Sequence, residues 1–139
     1  MTYQKSVRLK ADATYQDVRT IDQALVDLLV GAGDIDETTI HSIELAVHEV
    51  ATNIVDHAYP ADQAGSIEAS FTVSGRPQKR LTVELSDTGT PFDATAVNPV
   101  NLELPQEGGY GLFLAQALMD DVHYERKAGR NIWRLTKGL

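Results

Sequence analysis

Residues 48–59 read HEVATNIVDHAY, and this stretch closes a run of apolar residues that recur every three or four positions. Such spacing places the apolar side chains on one face of an α-helix. It predicts a helix that begins near Asp36 and ends near Ala58, with Pro60 just beyond it. The apolar positions of this stripe are Ile40, Ile43, Val47, Val50 and Ile54.

Polar side chains occupy the shoulder of the same helix. Glu49, Asn53 and Asp56 stand at positions i, i+4 and i+7, so they share one face, and His57 lies between that face and the apolar stripe. In a cleft, a carboxylate can act as a base and an amide oxygen can ligate a hard cation such as Mg²⁺. The spacing alone leaves open the alternative of a solvated polar face.

The segments on either side show strand and helix patterns separated by glycine and proline. Apolar residues at every second position predict strands, and apolar residues at helical spacing predict helices. In chain order, the predicted elements are a strand at 7–11, a helix at 15–30, the helix described above, a hairpin with strands at 67–73 and 81–85, a buried helix at 112–119, and a final hairpin with strands at 121–127 and 131–136.

This order predicts an α+β protein, because strands joined by tight turns pair antiparallel and the helices then cover one face of the sheet. We expect a two-layer sandwich with a mixed, mostly antiparallel sheet, formed by residues 1–139 as a single domain. The segment 94–107 has no clear period, and loops of this length are usually functional or mobile.

Composition narrows the classes of function. The 139 residues carry a formal net charge of −8 and no basic cluster, which argues against a direct nucleic-acid partner. No apolar run reaches the roughly 20 residues that cross a bilayer, and the charged start does not resemble a signal peptide. We therefore expect a cytoplasmic protein without a membrane partner. The absence of cysteine excludes disulfides and cysteine-bound zinc.

A second motif follows the predicted strand at 81–85. Residues 87–93 read DTGTPFD. A carboxylate at a strand end can accept a hydrogen bond from an exocyclic amine such as that of adenine, and Gly89 lets a flat ring approach the backbone. All these residue types also form turns, so a plain turn is the alternative interpretation.

A third motif is the glycine-rich segment that opens the predicted helix at 112–119. Residues 107–112 read EGGYGL, and backbone N–H groups at a helix start favour phosphate oxygens. No Gly-Lys-Ser/Thr follows, so this is not a Walker A loop. Taken alone, a flexible hinge is the alternative interpretation.

Together the three motifs resemble the ATPase domain shared by gyrase, histidine kinases and MutL, which has the Bergerat-type ATP-binding fold. The resemblance is strongest to the small anti-sigma-factor serine-protein kinases, and it covers nearly the whole chain. It rests on Glu49 with Asn53, on the His57–Tyr59 ending of the helix, on the 87–93 motif and on residues 108–120.

The resemblance implies a role for each site residue. Glu49 matches the catalytic glutamate, Asn53 the residue whose amide oxygen holds Mg²⁺, and Asp87 the carboxylate that binds the adenine amino group. The segment 94–107 matches the ATP lid. The other residues that it assigns to the ATP site are Asp56, His57, Gly89, Phe92, Gly108, Gly109, Tyr110, Gly111, Leu112 and Thr136, the last as a hydroxyl near the adenine ring.

The implied activity is that of a serine/threonine protein kinase that uses ATP and Mg²⁺. It would phosphorylate a small anti-sigma-factor antagonist of the STAS type and hold a sigma factor inactive, and relatives often form homodimers. The alternative is a binding module that regulates a partner by docking without phosphoryl transfer. Segment 94–107 contains no Lys or Arg, Glu107 stands where some relatives are basic, and Pro91 replaces a common second glycine.

Overall fold

Five strands and three helices form the part of the chain that the computed structural model describes, which is residues 3–60, 63–75, 78–92 and 110–139. These elements are β1 (Tyr3–Asp12), α1 (Tyr15–Gly31), α2 (Glu37–His57), β2 (Ser66–Gly75), β3 (Arg80–Asp87), α3 (Tyr110–Leu118), β4 (Asp121–Lys127) and β5 (Arg130–Gly138). The strands form one sheet in the order β1-β2-β3-β5-β4.

Strand β3 lies at the centre of the sheet, between β2 and β5. Val83 stands opposite Phe71 on one neighbour and opposite Leu135 on the other, and all three side chains are fully buried. The turn Ala128–Gly129 joins β4 to β5 with φ angles of 52° and 76°. This left-handed geometry matches the twist of a two-residue antiparallel hairpin, and it sets the register of β5.

The helices cover one face of the sheet. In β2 and β3 every second residue is buried, because that face meets the helices while the other face is polar. Helix α1 starts after Thr14, whose Oγ1 accepts a hydrogen bond from the N–H of Asp17 over 3.0 Å. Helix α2 contacts both α1 and α3. The two-layer α+β sandwich and the order of its elements are confirmed.

Two details differ from the sequence prediction. Every neighbouring pair of the described strands is antiparallel, so the sheet is not mixed, because β5 enters between β3 and β4 in the direction opposite to both. The burial expected for the helix at 112–119 is only partial: Ala115 and Met119 are buried, whereas Phe113 is 38% exposed. Among the described elements, α3 packs mainly against α2, so only one of its faces meets the core.

No helix among the described residues combines the length and the apolar character needed to span a bilayer.

Candidate functional site

Asp87 ends the central strand with its side chain almost fully buried, since 2% of the residue is exposed. Its Oδ1 accepts two hydrogen bonds of 2.8 Å, one from the N–H of Gly89 and one from Nδ2 of Asn131. Its Oδ2 is buried and has no hydrogen-bond partner among the described residues. Burial raises the pKa of Asp87, and the two hydrogen bonds partly oppose this rise. Because a buried acceptor without a partner costs free energy, Oδ2 is suited to a ligand donor.

The turn after Asp87 is fixed against the end of α2. The N–H of Thr90 donates to the carbonyl oxygen of Ala58 over 2.6 Å, and Oγ1 of Thr90 donates to the carbonyl oxygen of His57 over 3.0 Å. A Cβ atom at Gly89 would lie 2.1 Å from the Ala58 carbonyl oxygen, so only glycine fits there. The strand-end motif and the end of the α2 motif therefore meet directly.

Tyr59 holds the same corner from the other side. Its hydroxyl donates to the carbonyl oxygen of Ser66 over 2.8 Å and accepts a hydrogen bond of 3.1 Å from the N–H of Thr88. This contact joins the segment after α2 to the start of β2 and to the turn after β3. The tyrosine that closes the first sequence motif thus positions the neighbour of Asp87.

Glu49 of α2 lies against the first turn of α3. A Cβ atom at Gly111 would stand 2.8 Å from Oε2 of Glu49, so the missing side chain leaves room for the carboxylate. Glu49 is partly buried. The structure therefore brings together two residues that the sequence analysis placed in one site from different motifs.

The rest of the α2 shoulder runs away from α3. Asn53 lies one turn after Glu49 on the same face and is partly buried. Asp56 and His57 are exposed in the last turn, and Oδ1 of Asp56 accepts a hydrogen bond from the hydroxyl of Tyr15 at the start of α1. The shoulder thus extends from α3 at one end to α1 at the other.

Asn131 is a site residue that the sequence analysis missed. It stands opposite Asp87 in the register of β3 and β5, and 2% of it is exposed. Its Nδ2 donates to Asp87 Oδ1 and also to the carbonyl oxygen of Thr90 over 2.7 Å. A signal was present, because Asn131 precedes the core residue Trp133 by two positions, and side chains two apart in a strand share a face.

Thr136 is not brought to Asp87. It pairs with Thr82, five positions along β5 from Asn131, and five positions correspond to about 17 Å of strand. An odd separation also places it on the opposite face of the sheet, where its Oγ1 accepts a hydrogen bond of 3.2 Å from Nη2 of Arg80. Of these two polar residues of β5, Asn131 is the one that stands beside Asp87.

Phe92 belongs to an aromatic cluster under the site. Its ring makes edge contacts with Tyr124 and Trp133, at centroid distances of 5.5 and 5.0 Å. Its N–H donates to the hydroxyl of Tyr124 over 2.9 Å. The structure therefore uses this ring to anchor the segment that leaves the strand-end turn.

The glycine-rich motif is only partly described. Leu112 is partly buried and packs against the core, and Tyr110 is the first residue of α3. Gly108, Gly109 and the predicted lid at 94–107 lie outside the described residues.

The donor set on α2 fits a Mg²⁺ ion that is held mainly by phosphate and water. Among the described residues, no group of three or more His, Cys, Asp or Glu side chains could hold a metal ion. Mg²⁺ in nucleotide sites usually takes one or two protein oxygens together with substrate phosphates. Asn53 and Glu49 offer such oxygens one turn apart, while Oδ2 of Asp87 suits an amine. The residues present therefore fit ATP with Mg²⁺.

The described residues form a helix layer on an antiparallel sheet, and the carboxylate at the end of the central strand has hydrogen-bond partners on only one of its two oxygen atoms. These features agree with one class of protein, the histidine kinase-like ATPase domains. Residues 11–137 match the family described as histidine kinase-like ATPase domain, and the chain belongs to this family.

Within that family the chain groups with serine-protein kinases named RsbW. The RsbW protein of Staphylococcus epidermidis is 32% identical over 135 residues, which cover 91% of this chain and 81% of the relative. RsbW of Oceanobacillus iheyensis is 35% identical over 99 residues, or 66% of this chain and 61% of the relative. RsbW of Halalkalibacterium halodurans is 37% identical over 98 residues, or 65% and 57%. The chain spans less than two thirds of the length of the last two relatives.

Solved structures share the fold. The structure of the RsbU and RsbW domains of Rv1364c from Mycobacterium tuberculosis superposes with a TM-score of 0.66 at 23% identity, covering 96% of this chain and 32% of that one. The histidine kinase domain of a blue-light activated histidine kinase from Erythrobacter litoralis EL346 gives a TM-score of 0.54 at 23% identity, covering 88% and 59%. At these identities the likeness supports the fold alone.

Proposed function

We propose that the protein is a serine/threonine protein kinase that uses ATP and Mg²⁺ and acts as an anti-sigma factor. The observation that carries the proposal is that Oδ2 of Asp87, at the end of the central strand, is buried and has no hydrogen-bond partner in the described part of the chain. The contact between Glu49 and Gly111 supports it from the other motifs. The relatives that carry the name serine-protein kinase support the type of reaction.

In this proposal ATP binds between the end of β3 and the shoulder of α2. Asp87 accepts a hydrogen bond from the adenine amino group through Oδ2, and the bare backbone at Gly89 lies under the base. Asn53 offers its amide oxygen to Mg²⁺, and Phe92 supports the strand-end turn from the core. The further residues that we assign to the nucleotide are Asp56, His57, Gly108, Gly109, Tyr110, Gly111 and Leu112.

Glu49 is the catalytic base of the proposed transfer. It takes the proton from the hydroxyl group of a serine or threonine on the partner protein. The hydroxyl oxygen then forms its bond to the γ-phosphorus, the bond from that phosphorus to the bridging oxygen breaks, and ADP leaves. When bound, Mg²⁺ neutralises negative charge that develops on the phosphates.

The proposed partners are a small STAS-type antagonist, which receives the phosphoryl group, and a sigma factor, which the protein binds and keeps inactive. A homodimer is the proposed assembly. These assignments rest on the resemblance to anti-sigma-factor kinases and on the group of relatives reported above.

The test is a phosphorylation assay with γ-labelled ATP, Mg²⁺ and a purified STAS-type antagonist protein. We expect label on a serine or threonine of the antagonist, and we expect Glu49→Gln to slow labelling by about 100-fold or more, since general bases contribute that much. Glu37→Gln is the matched control, because Glu37 is an exposed carboxylate in the first turn of α2. Equal rates for wild type and Glu49→Gln would remove Glu49 from the reaction.

The absence of Lys and Arg from 94–107 favours a second candidate function, a module that binds nucleotide and regulates its partner by docking. The same assay separates the two. If calorimetry shows ATP binding by the wild type while no label reaches the antagonist, the docking module is supported and the kinase is contradicted.

A further inference from the structure

Four hydrogen bonds hold the amide group of Asn131, which is its full capacity. Nδ2 donates to Oδ1 of Asp87 and to the carbonyl oxygen of Thr90, over 2.8 and 2.7 Å. Oδ1 accepts from the hydroxyl of Tyr124 over 2.5 Å and from Nη1 of Arg126 over 3.1 Å. Because the nitrogen faces two acceptors and the oxygen faces two donors, the amide has a single orientation.

The two donors to Asn131 are themselves tied to the turn after β3. Nη1 of Arg126 also donates to the carbonyl oxygen of Gly89 over 2.8 Å, and the hydroxyl of Tyr124 accepts from the N–H of Phe92 over 2.9 Å. Both side chains come from β4, which lies beyond β5 at the edge of the sheet. Strand β4 therefore fixes, through Asn131, the orientation of a carboxylate two strands away.

This arrangement leaves Oδ2 of Asp87 without a hydrogen-bond partner among the described residues. Oδ1 already accepts two N–H groups, so a proton on the carboxyl group would sit on Oδ2, and the ionised group presents Oδ2 as a bare acceptor. Burial raises the pKa of Asp87, whereas the hydrogen bond from Asn131 and the charges of Arg126 and Arg130 lower it. The β4–β5 hairpin thus favours the charged form that accepts a hydrogen bond from an amine.

We propose that Asn131, held by Tyr124 and Arg126, is a positioning residue that keeps Oδ2 of Asp87 available as the acceptor for the amino group of adenine. The inference rests on the proposed ATP binding and deepens it, because it assigns base selection to residues outside the three sequence motifs. A base with a carbonyl oxygen in place of the amino group would meet the charged Oδ2 and be repelled. The network therefore selects against guanine and hypoxanthine.

The experiment is calorimetry of the full chain with Mg²⁺ and three nucleotides: ATP, ITP and purine riboside triphosphate, which lacks the amino group. Wild type is expected to prefer ATP over purine riboside triphosphate by about 10- to 100-fold, the usual range for a hydrogen bond to a charged group. In Asn131→Leu most of this preference disappears, because ATP affinity falls while affinity for purine riboside triphosphate changes by less than about threefold.

Asn131→Asp gives a second test. The new carboxyl group would share a proton with Oδ1 of Asp87, the oxygen atom that Nδ2 of Asn131 faces, and it could no longer donate to the carbonyl oxygen of Thr90 as well. The carboxylate of Asp87 then loses its fixed orientation, so this variant is expected to show a smaller preference for ATP over ITP than wild type. A residue that only stabilised the fold would weaken both nucleotides equally, so an unchanged ratio of ATP to ITP affinity overturns the inference.

Two milder variants keep the test decisive if Asn131 variants fail to fold. Arg126→Gln and Tyr124→Phe each remove one donor to Asn131, and each is expected to lower the preference for ATP over purine riboside triphosphate. Lys127→Gln is the matched control, because Lys127 is the next cation on β4 and is exposed. Unchanged preference in both variants overturns the inference alone, whereas a wild type that binds no ATP overturns the proposed function and this inference with it.

Discussion

Gly111 of α3 lies so close to Glu49 of α2 that an added Cβ atom would stand 2.8 Å from Oε2 of the carboxylate. Glycine is needed here for space, since Gly111 is in a helix and has no positive φ angle. The glycine-rich motif therefore does more than expose backbone, because it sets how far the proposed catalytic carboxylate can approach α3.

Gly111→Ala tests this spatial role. Alanine favours a helix by about 1 kcal/mol over glycine, and this gain opposes the cost of moving the Glu49 side chain. The free energy of unfolding should therefore change little. The new methyl group displaces the Glu49 carboxylate, and phosphoryl transfer to the antagonist should fall by about 100-fold, as small misplacements of catalytic groups do. Single-turnover labelling measures the rate, and Gln116→Ala on the exposed part of α3 is the control. An unaffected rate would show that the Glu49 carboxylate does not act from this position.

Gly89→Ala should be the most destabilising single-methyl change near the site. The new Cβ atom would lie 2.1 Å from the carbonyl oxygen of Ala58, a backbone atom that cannot turn away. We expect a loss of about 3 kcal/mol in the free energy of unfolding, at the upper end for overpacking. The comparison is Gly129→Ala, where φ is 76° but nothing lies within 4 Å of the added atom, so the loss should be about 1 kcal/mol. Urea unfolding measures both losses in the free energy of unfolding. A larger loss for Gly129→Ala than for Gly89→Ala would contradict the structure.

Asp87→Asn should separate stability from ligand binding. Burial raises the pKa of Asp87 from its ordinary 3.8, so the folded state binds the proton more tightly than the unfolded state does. Below pH 3.8, where Asp87 is protonated in both the folded and the unfolded state, its neutral carboxyl group stabilises the fold in comparison with a buried carboxylate. This stabilisation is lost as pH rises through the raised pKa of the folded state. The variant lacks this slope, so its stability relative to wild type should increase as pH rises from 3.8 through the raised pKa of Asp87.

Thermal unfolding across that pH range measures the effect. Nucleotide binding should change in the opposite sense, because the amide nitrogen at the position of Oδ2 is a donor and cannot accept from adenine. Greater stability at pH 7 with loss of ATP binding is the expected pair of results. If the wild type is more stable than the variant at pH 7, and this difference in stability grows as pH rises, the upward shift of the Asp87 pKa is contradicted.

Phe92→Ala tests whether this residue is a nucleotide contact or a structural anchor. The ring lies at 5.5 and 5.0 Å from the rings of Tyr124 and Trp133, so its removal leaves a gap in the aromatic cluster. We expect a loss of about 2 kcal/mol in the free energy of unfolding, less than for a fully buried phenylalanine. In the folded variant, ATP affinity should fall by less than about tenfold. A large loss of affinity without loss of stability would instead make Phe92 a direct contact.

The sheet and the two long helices could be predicted because their apolar periodicity is strict. Val83 and its neighbours alternate on β3, and Ile54 closes a regular helical stripe on α2. The burial of α3 could not be predicted, because a run that is apolar on every side does not show which side has a partner. The exposed ring of Phe113 is the result.

The residues around Asp87, which form the proposed base site, could not be predicted in full, because the motifs do not contain the register of the strands. Asn131 and Thr136 are both polar residues of β5, and only the pairing with β3 shows which of them stands opposite Asp87. Residues separated by an odd number of positions in a strand lie on opposite faces of the sheet. Asn131 and Thr136 therefore cannot both face the side chain of Asp87. The contact between Glu49 and Gly111 likewise depends on how α3 docks, which no local pattern specifies.

The two halves of the site belong to parts of the molecule with different resistance to local opening. Asp87 leaves a strand that is paired on both sides, whereas α3 has nine residues and docks mainly on α2. Hydrogen exchange should therefore be slow along β3 and much faster along α3, since a short helix with partly exposed side chains can open without global unfolding. Such an opening would detach Gly111 from Glu49 and leave the proposed base site at Asp87 assembled.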